Sequence, residues 1–149
     1  MNIRFALTIA CLLLAGAVFF VSGCKDKVTE DPEFAISNQE FFLVQDGPTL
    51  YKVNTRGTIE NVGNVDVEDL VLTGDCPSCL YVYRQRQWWH ADAPKNPDQK
   101  AFIDYLAAGQ GADFEFEGLA FFPTGRGGGP PEELPDEVEI IIESYEVAR

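Results

Sequence analysis

From Leu50 to Val62 the chain alternates residue by residue. Tyr51, Val53, Thr55, Gly57 and Ile59 fall on one side, and Lys52, Asn54, Arg56, Thr58 and Glu60 on the other. A repeat of two is that of an extended strand whose side chains project to opposite faces; a helix repeats every 3.6 residues. The apolar face of such a strand has to be covered by a second layer. No alternation of strands with helices follows in the sequence, so the covering layer is expected to be another sheet.

The rest of the domain carries the same kind of signal. Phe41-Phe42-Leu43-Val44 is a short apolar run closed by the turn residues Gln45-Asp46-Gly47-Pro48. Gly63-Asn64 permits a turn with positive φ. Val67 to Thr73 is a further strand, broken by Gly74-Asp75. Leu80 to Trp89 are rich in aromatic and β-branched residues, which predicts a strand by propensity. Residues 91–99 contain two prolines and read as a loop. Over residues 98–108, Phe102, Tyr105 and Leu106 stand at helical spacing between Asn96-Pro97 and Gly109, which predicts a short helix, with a strand as the rival reading. Asp113 to Glu117 alternate again, and the strand runs on through Gly118 to Phe122. Residues 124–136 hold Gly-Arg-Gly-Gly-Gly-Pro-Pro and read as a mobile loop. Val138 to Val147 close the chain as a last strand. The sum is an all-β chain of about seven strands, expected as an antiparallel β-sandwich.

Within this pattern, Gly57, Ile59, Asn61, Gly63, Val67, Leu70 and Leu72 resemble the core motif of bacterial immunoglobulin-like domains of the FxLYD type. Leu106, Gly109 and Phe114 resemble the lead-in to a later strand of the same domains. The resemblance implies an immunoglobulin-like fold over residues 34–149 and a role in adhesion or assembly without a catalytic site.

The start of the chain carries a different signal. Arg4 is followed by an uncharged run from Phe5 to Val21, then by Ser22-Gly23-Cys24. A basic start, an apolar stretch and small residues before a cut describe a secretory signal. The run is at the low edge of a membrane-spanning helix, which is the alternative. Val21-Ser22-Gly23-Cys24 resembles the bacterial lipobox. That resemblance implies a signal peptide over residues 1–23 and a lipidated Cys24 carrying palmitate-type acyl chains. Each buried lipid CH₂ contributes about 0.8 kcal/mol of membrane affinity. Lys25 follows the cysteine in place of Asp, which by the enterobacterial sorting rule favours the outer membrane. Polar residues 24–33 read as a tether. The expected location is the bacterial cell envelope, periplasmic or surface-exposed, with the membrane as a partner through the lipid.

The formal charge is −13 and includes Arg4, so cleavage would leave −14. Nucleic acid and anionic lipid surfaces both require basic patches, so neither is an expected partner of the domain surface. The apolar fraction of 46% is enough for a packed core and argues against a disordered chain.

Four cysteines are present. Cys11 lies in the leader and Cys24 is the lipid site, which leaves Cys76-Pro77-Ser78-Cys79. Outside the inner membrane a disulfide between Cys76 and Cys79 is the default. A redox centre would need a thiolate at a helix N-terminus, and the following Leu80-Tyr81-Val82-Tyr83 favours extended chain. A structural zinc needs four ligands, and two cysteines with His90 do not supply them. Haem attachment needs a histidine where Leu80 stands. Neither Gly125-Arg126-Gly127-Gly128-Gly129 nor the acidic groups at 66–69 and 132–137 match a phosphate loop or an EF-hand. His90 has no convincing nucleophile near it in sequence, and no metal or other cofactor is expected. Arg84, Arg86, Trp88, Trp89 and His90 are the candidate partner-binding residues. On a regular strand Trp88 would share a face with Arg84 and Arg86, making either a protein contact or a platform for a sugar ring; a core role for one Trp is the alternative. The expected function is a non-catalytic, protein-binding or assembly lipoprotein. Carbohydrate or peptidoglycan binding, and more remotely redox work through the Cys pair, are the alternatives.

Overall fold

A computed structural model describes residues 31–90 and 95–149. The expected leader, the expected lipid site Cys24 and most of the expected tether lie outside the described residues. Among the described residues seven strands form: β1 (Phe34–Gln45), β2 (Leu50–Asn61), β3 (Val67–Asp75), β4 (Trp89–His90), β5 (Lys100–Leu106), β6 (Gly111–Pro123) and β7 (Glu139–Val147). They make two sheets, β1-β2-β6-β4 and β5-β3-β7, with every pair of strands antiparallel. The chain is thus an antiparallel β-sandwich.

The alternation in β2 does what its period implies. Val53, Thr55, Gly57, Ile59 and Asn61 are buried, while Arg56 and Glu60 are exposed. Across the sandwich they meet Val67, Leu70 and Leu72 of β3, and Phe114, Phe116 and Leu119 of β6 complete the core. Each such side chain, fully buried, contributes about 1.5–3 kcal/mol of transfer free energy.

The two ends of the sandwich are built differently. At one end the chain enters. Phe34 lies opposite Asn61, and the amides of Val62 and Gly63 donate to the Glu33 carbonyl at 2.7 and 3.1 Å. Gly63 is required there, since a Cβ would sit 2.5 Å from the Glu33 nitrogen. Asn61 is fully buried; its Nδ2 donates to the carbonyls of Val65 and Leu106, and its Oδ1 accepts the Gly63 amide. One side chain thereby ties the β2–β3 turn to the end of β5. At the other end Leu50 lies opposite Pro123, the Thr124 amide donates to the Thr49 carbonyl, and the Arg86 amide donates to the Pro123 carbonyl. The length of β2 separates the two ends by about 36 Å at roughly 3.3 Å per residue.

Two expectations need correction. The short helix over 98–108 reduces to one 3-10 turn, Pro97–Gln99, followed by strand β5. Phe102 and Tyr105, two of the three residues at helical spacing, are exposed, and Ala101, Ile103 and Leu106 are the ones packed inward. Pairing of β5 with β3 outweighs the local helical signal. The strand over 80–89 shrinks to Trp89–His90, with Leu80 in an isolated bridge to Trp89. The Cys76–Cys79 turn and the left-handed Arg86, at φ 59°, carry the intervening residues off the sheet.

Candidate functional site

Sheet A, the four-stranded sheet, decides where the aromatic residues go. Leu43, Val53, Ala120 and His90 stand in one rung, and the fully buried Val53 and Ala120 mark it as core-facing. The next rung, Val44, Lys52, Phe121 and Trp89, therefore projects from the outer face. Trp89 packs on Phe121 there, with ring centroids 5.6 Å apart. Trp88 turns the other way. It packs against the core and on Phe122 at 5.2 Å, and its Nε1 donates to the Glu133 carbonyl at 3.2 Å.

The expected platform of Trp88 with Arg84 and Arg86 is therefore not formed. No strand runs through residues 84–87, so no common face exists, and the two indoles lie on opposite sides of β4. One tryptophan braces the core and the glycine–proline loop; the other covers the outer face of the sheet.

What the structure gathers instead is a loop at the end remote from where the chain enters. After Cys79 come Leu80, Tyr81, Val82 and Tyr83, four large apolar or aromatic residues in succession, all exposed. Tyr81, Val82 and Tyr83 are 78%, 66% and 59% accessible. The two tyrosines are braced from behind. Tyr81 stacks on the His90 ring at 5.2 Å, and Tyr83 meets Trp89 edge-on at 6.2 Å. Arg84 and Arg86 follow, both exposed. The sequence marks the arginines as candidates, but composition alone predicts a strand over Leu80 to Tyr83, where the structure has an exposed loop. The missing alternation in Leu-Tyr-Val-Tyr was the available signal.

The loop is held at its base. Cys76 and Cys79 form a disulfide, Cα to Cα 5.3 Å, and both are buried in the core cluster. No helix follows the pair. Between them, Ser78 Oγ accepts the Glu137 amide at 3.0 Å and donates to the Glu137 carbonyl at 3.2 Å. This hydroxyl, together with the indole N–H of Trp88, pins the glycine–proline loop to the same end of the fold.

Beneath Tyr81, the His90 Nε2 hydrogen-bonds Asp75, and Lys95 donates to the Gly74 carbonyl. Burial acts to push the Asp75 carboxyl up. Hydrogen bonds from His90 and the Cys76 backbone, with the charges of His90 and Lys95, outweigh it and hold the carboxyl below its ordinary value. Among the described residues, no group of three or more His, Cys, Asp and Glu side chains converges as a metal site would require. Of the acidic residues at 66–69, Asp66 accepts the Tyr105 hydroxyl and the Ala108 amide. No family model, no curated protein and no solved structure matches the chain.

Proposed function

We propose that the chain is a lipid-anchored, extracytoplasmic binding module. Cys24 carries the lipid, residues 24–33 are the tether, and the sandwich offers its remote end to a protein partner in the bacterial cell envelope. In this reading the protein is an accessory subunit and does no catalysis. Both sequence resemblances, to the lipobox and to immunoglobulin-like domains, support it.

The observation that carries the reading is the position of the Leu80–Arg86 loop. A run of solvent-facing aromatic and aliphatic side chains costs solubility and marks a contact surface. Tyrosine and arginine are typical anchors of such surfaces. Rings already braced by His90 and Trp89 lose less freedom on binding than free ones. The loop also lies where a tethered domain can reach another molecule, opposite the end at which the tether joins.

Two measurements test it. Mass spectrometry of the membrane-extracted protein should find residue 24 as the N-terminus with a thioether-linked lipid; an intact, unmodified Met1 contradicts the anchor. A tagged full-length chain extracted in mild detergent should retain a stoichiometric partner that the Tyr81→Ser/Tyr83→Ser variant loses. Equal recovery by both chains contradicts the loop as the contact.

A further inference from the structure

We infer that the remote end selects a protein partner whose contact surface is apolar and ringed by carboxylates. This rests on reading the Leu80–Arg86 loop as the contact site.

The ground is how the cations are placed. Lys52 pairs with Glu117, Arg56 with Glu40 and Lys100 with Glu143, so the cations on the sheets are neutralised locally. Arg84, Arg86 and Arg126 are exposed, and among the described residues none lies within ion-pair distance of a carboxylate. All three stand at the same end. The Arg86 amide is held by Pro123, and the Gln85 side chain lies against Gly125, next to Arg126. The acidic residues of that end are accounted for separately: Asp46 faces Lys52, Asp75 is held by His90, Asp136, Glu137 and Glu139 gather with Pro77 beside β7, and Glu132 and Glu133 lie on the glycine–proline loop. Glu132 lines a shallow depression with Arg86, Phe122, Pro130 and Pro131.

A chain of net charge −13 repels anionic surfaces over most of its body. Arg84 and Arg86, which follow Tyr81, Val82 and Tyr83 in the loop, and Arg126 at the same end carry guanidinium groups with no carboxylate of their own among the described residues, and so can pair with carboxylates of a partner. Guanidinium forks match carboxylates in geometry as well as in sign. The arrangement therefore fits aromatic knobs entering an apolar hollow while arginines engage acidic residues at its rim.

Anionic lipid headgroups share this charge chemistry, and the geometry disfavours the bilayer that holds the anchor. The ten residues from 24 to 33 reach at most about 35 Å when fully extended. The remote end lies about 36 Å beyond the point where the tether joins. Folding back would bring the loop only level with the lipid surface, with no slack for insertion.

The test uses the full lipidated chain in zwitterionic detergent, with a displayed library of random peptides as probe. Selected peptides should combine Asp and Glu with Leu, Ile or Phe. A synthetic copy of their consensus should bind at least about tenfold more weakly to the Arg84→Glu/Arg86→Glu/Arg126→Glu chain, and more weakly in high salt. Thermal unfolding of that variant, whose changed residues are all exposed, should match the parent. Selected peptides that are basic or uncharged, or binding indifferent to the charge reversal, overturn the inference. If that indifferent binding is still lost on Tyr81→Ser/Tyr83→Ser, the contact site itself stands. If neither variant matters, both fall. Binding to phosphatidylglycerol vesicles stronger than to the peptides, and abolished by charge reversal, overturns the inference in favour of a membrane.

Discussion

Oδ1 of Asn54 accepts the backbone amide of Gly118 at 3.1 Å, inside the sandwich and across 64 residues of sequence. Between the rungs Val53–Ala120 and Thr55–Phe116, β6 contains two more residues than β2. Gly118 sits in that bulge at φ 62°, and its carbonyl accepts the Gln99 side chain at 2.9 Å. Two buried side chains thus supply the hydrogen bonds that the bulge removes from the ladder. Asn54→Ala leaves the Gly118 amide unpaired and is expected to cost about 1–3 kcal/mol in urea unfolding. Gly118→Ala should also destabilise, because its Cβ would lie 2.9 Å from the Phe121 ring and its backbone is left-handed.

Thr55 gives a change of opposite sign. It is fully buried, and its hydroxyl has no hydrogen-bond partner. Thr55→Val keeps the shape and removes the desolvated oxygen. The variant should unfold at higher denaturant concentration, with a gain of about 1 kcal/mol and an unchanged dependence on denaturant.

The Ser78 hydroxyl is the sole side chain hydrogen-bonded to the Glu137 backbone among the described residues. Ser78→Ala should lower stability only slightly, by about 0.5–1.5 kcal/mol. Limited proteolysis is the sharper readout. Cleavage within residues 124–137 should speed up, while the rest of the chain keeps its protection.

Acid should weaken the fold partly through Asp75. Its carboxyl is held below the ordinary value of 3.8 in the folded protein, chiefly against burial and by His90 and the Cys76 amide. A depressed carboxyl contributes stability that is fully present above the unfolded value and is lost as pH falls through the lower folded value. Unfolding curves from about pH 6 to about pH 2.5 should show this loss below pH ~4. In Asp75→Asn the same interval should be flatter, and its stability deficit relative to the parent should shrink as the pH falls.

The strands with clear alternation were legible because their faces see different solvents. Val53, Thr55, Gly57 and Ile59 were read as one face and are one face. Gly63-Asn64 marks a turn in the sequence, and the structure adds the hydrogen bonds by which Asn61 holds it. Asn54 was read as outward because the bulge that buries it shows only in the pairing with β6. Phe102, Tyr105 and Leu106 misled because an edge strand can leave aromatic residues in solvent. Propensity over residues 80–89 misled for another reason: aromatic and β-branched composition reports strand preference, while a turn closed by Cys76 and Cys79 decides the path. The bond between Ser78 and Glu137 joins residues 59 apart, and no local pattern announces it. Residues 1–30 lie outside the described chain, so the lipobox reading stands on its sequence alone.

The Leu80–Arg86 loop is proposed to meet a partner at the end of the sandwich remote from Phe34. Its most direct test is a photoreactive side chain placed at Tyr81 of the full-length chain in intact cells, with Val62, exposed at the tether end, as the control position. Irradiation should give one discrete cross-linked protein from position 81 and none from position 62. No adduct at 81, or the same set of adducts from both positions, would contradict it.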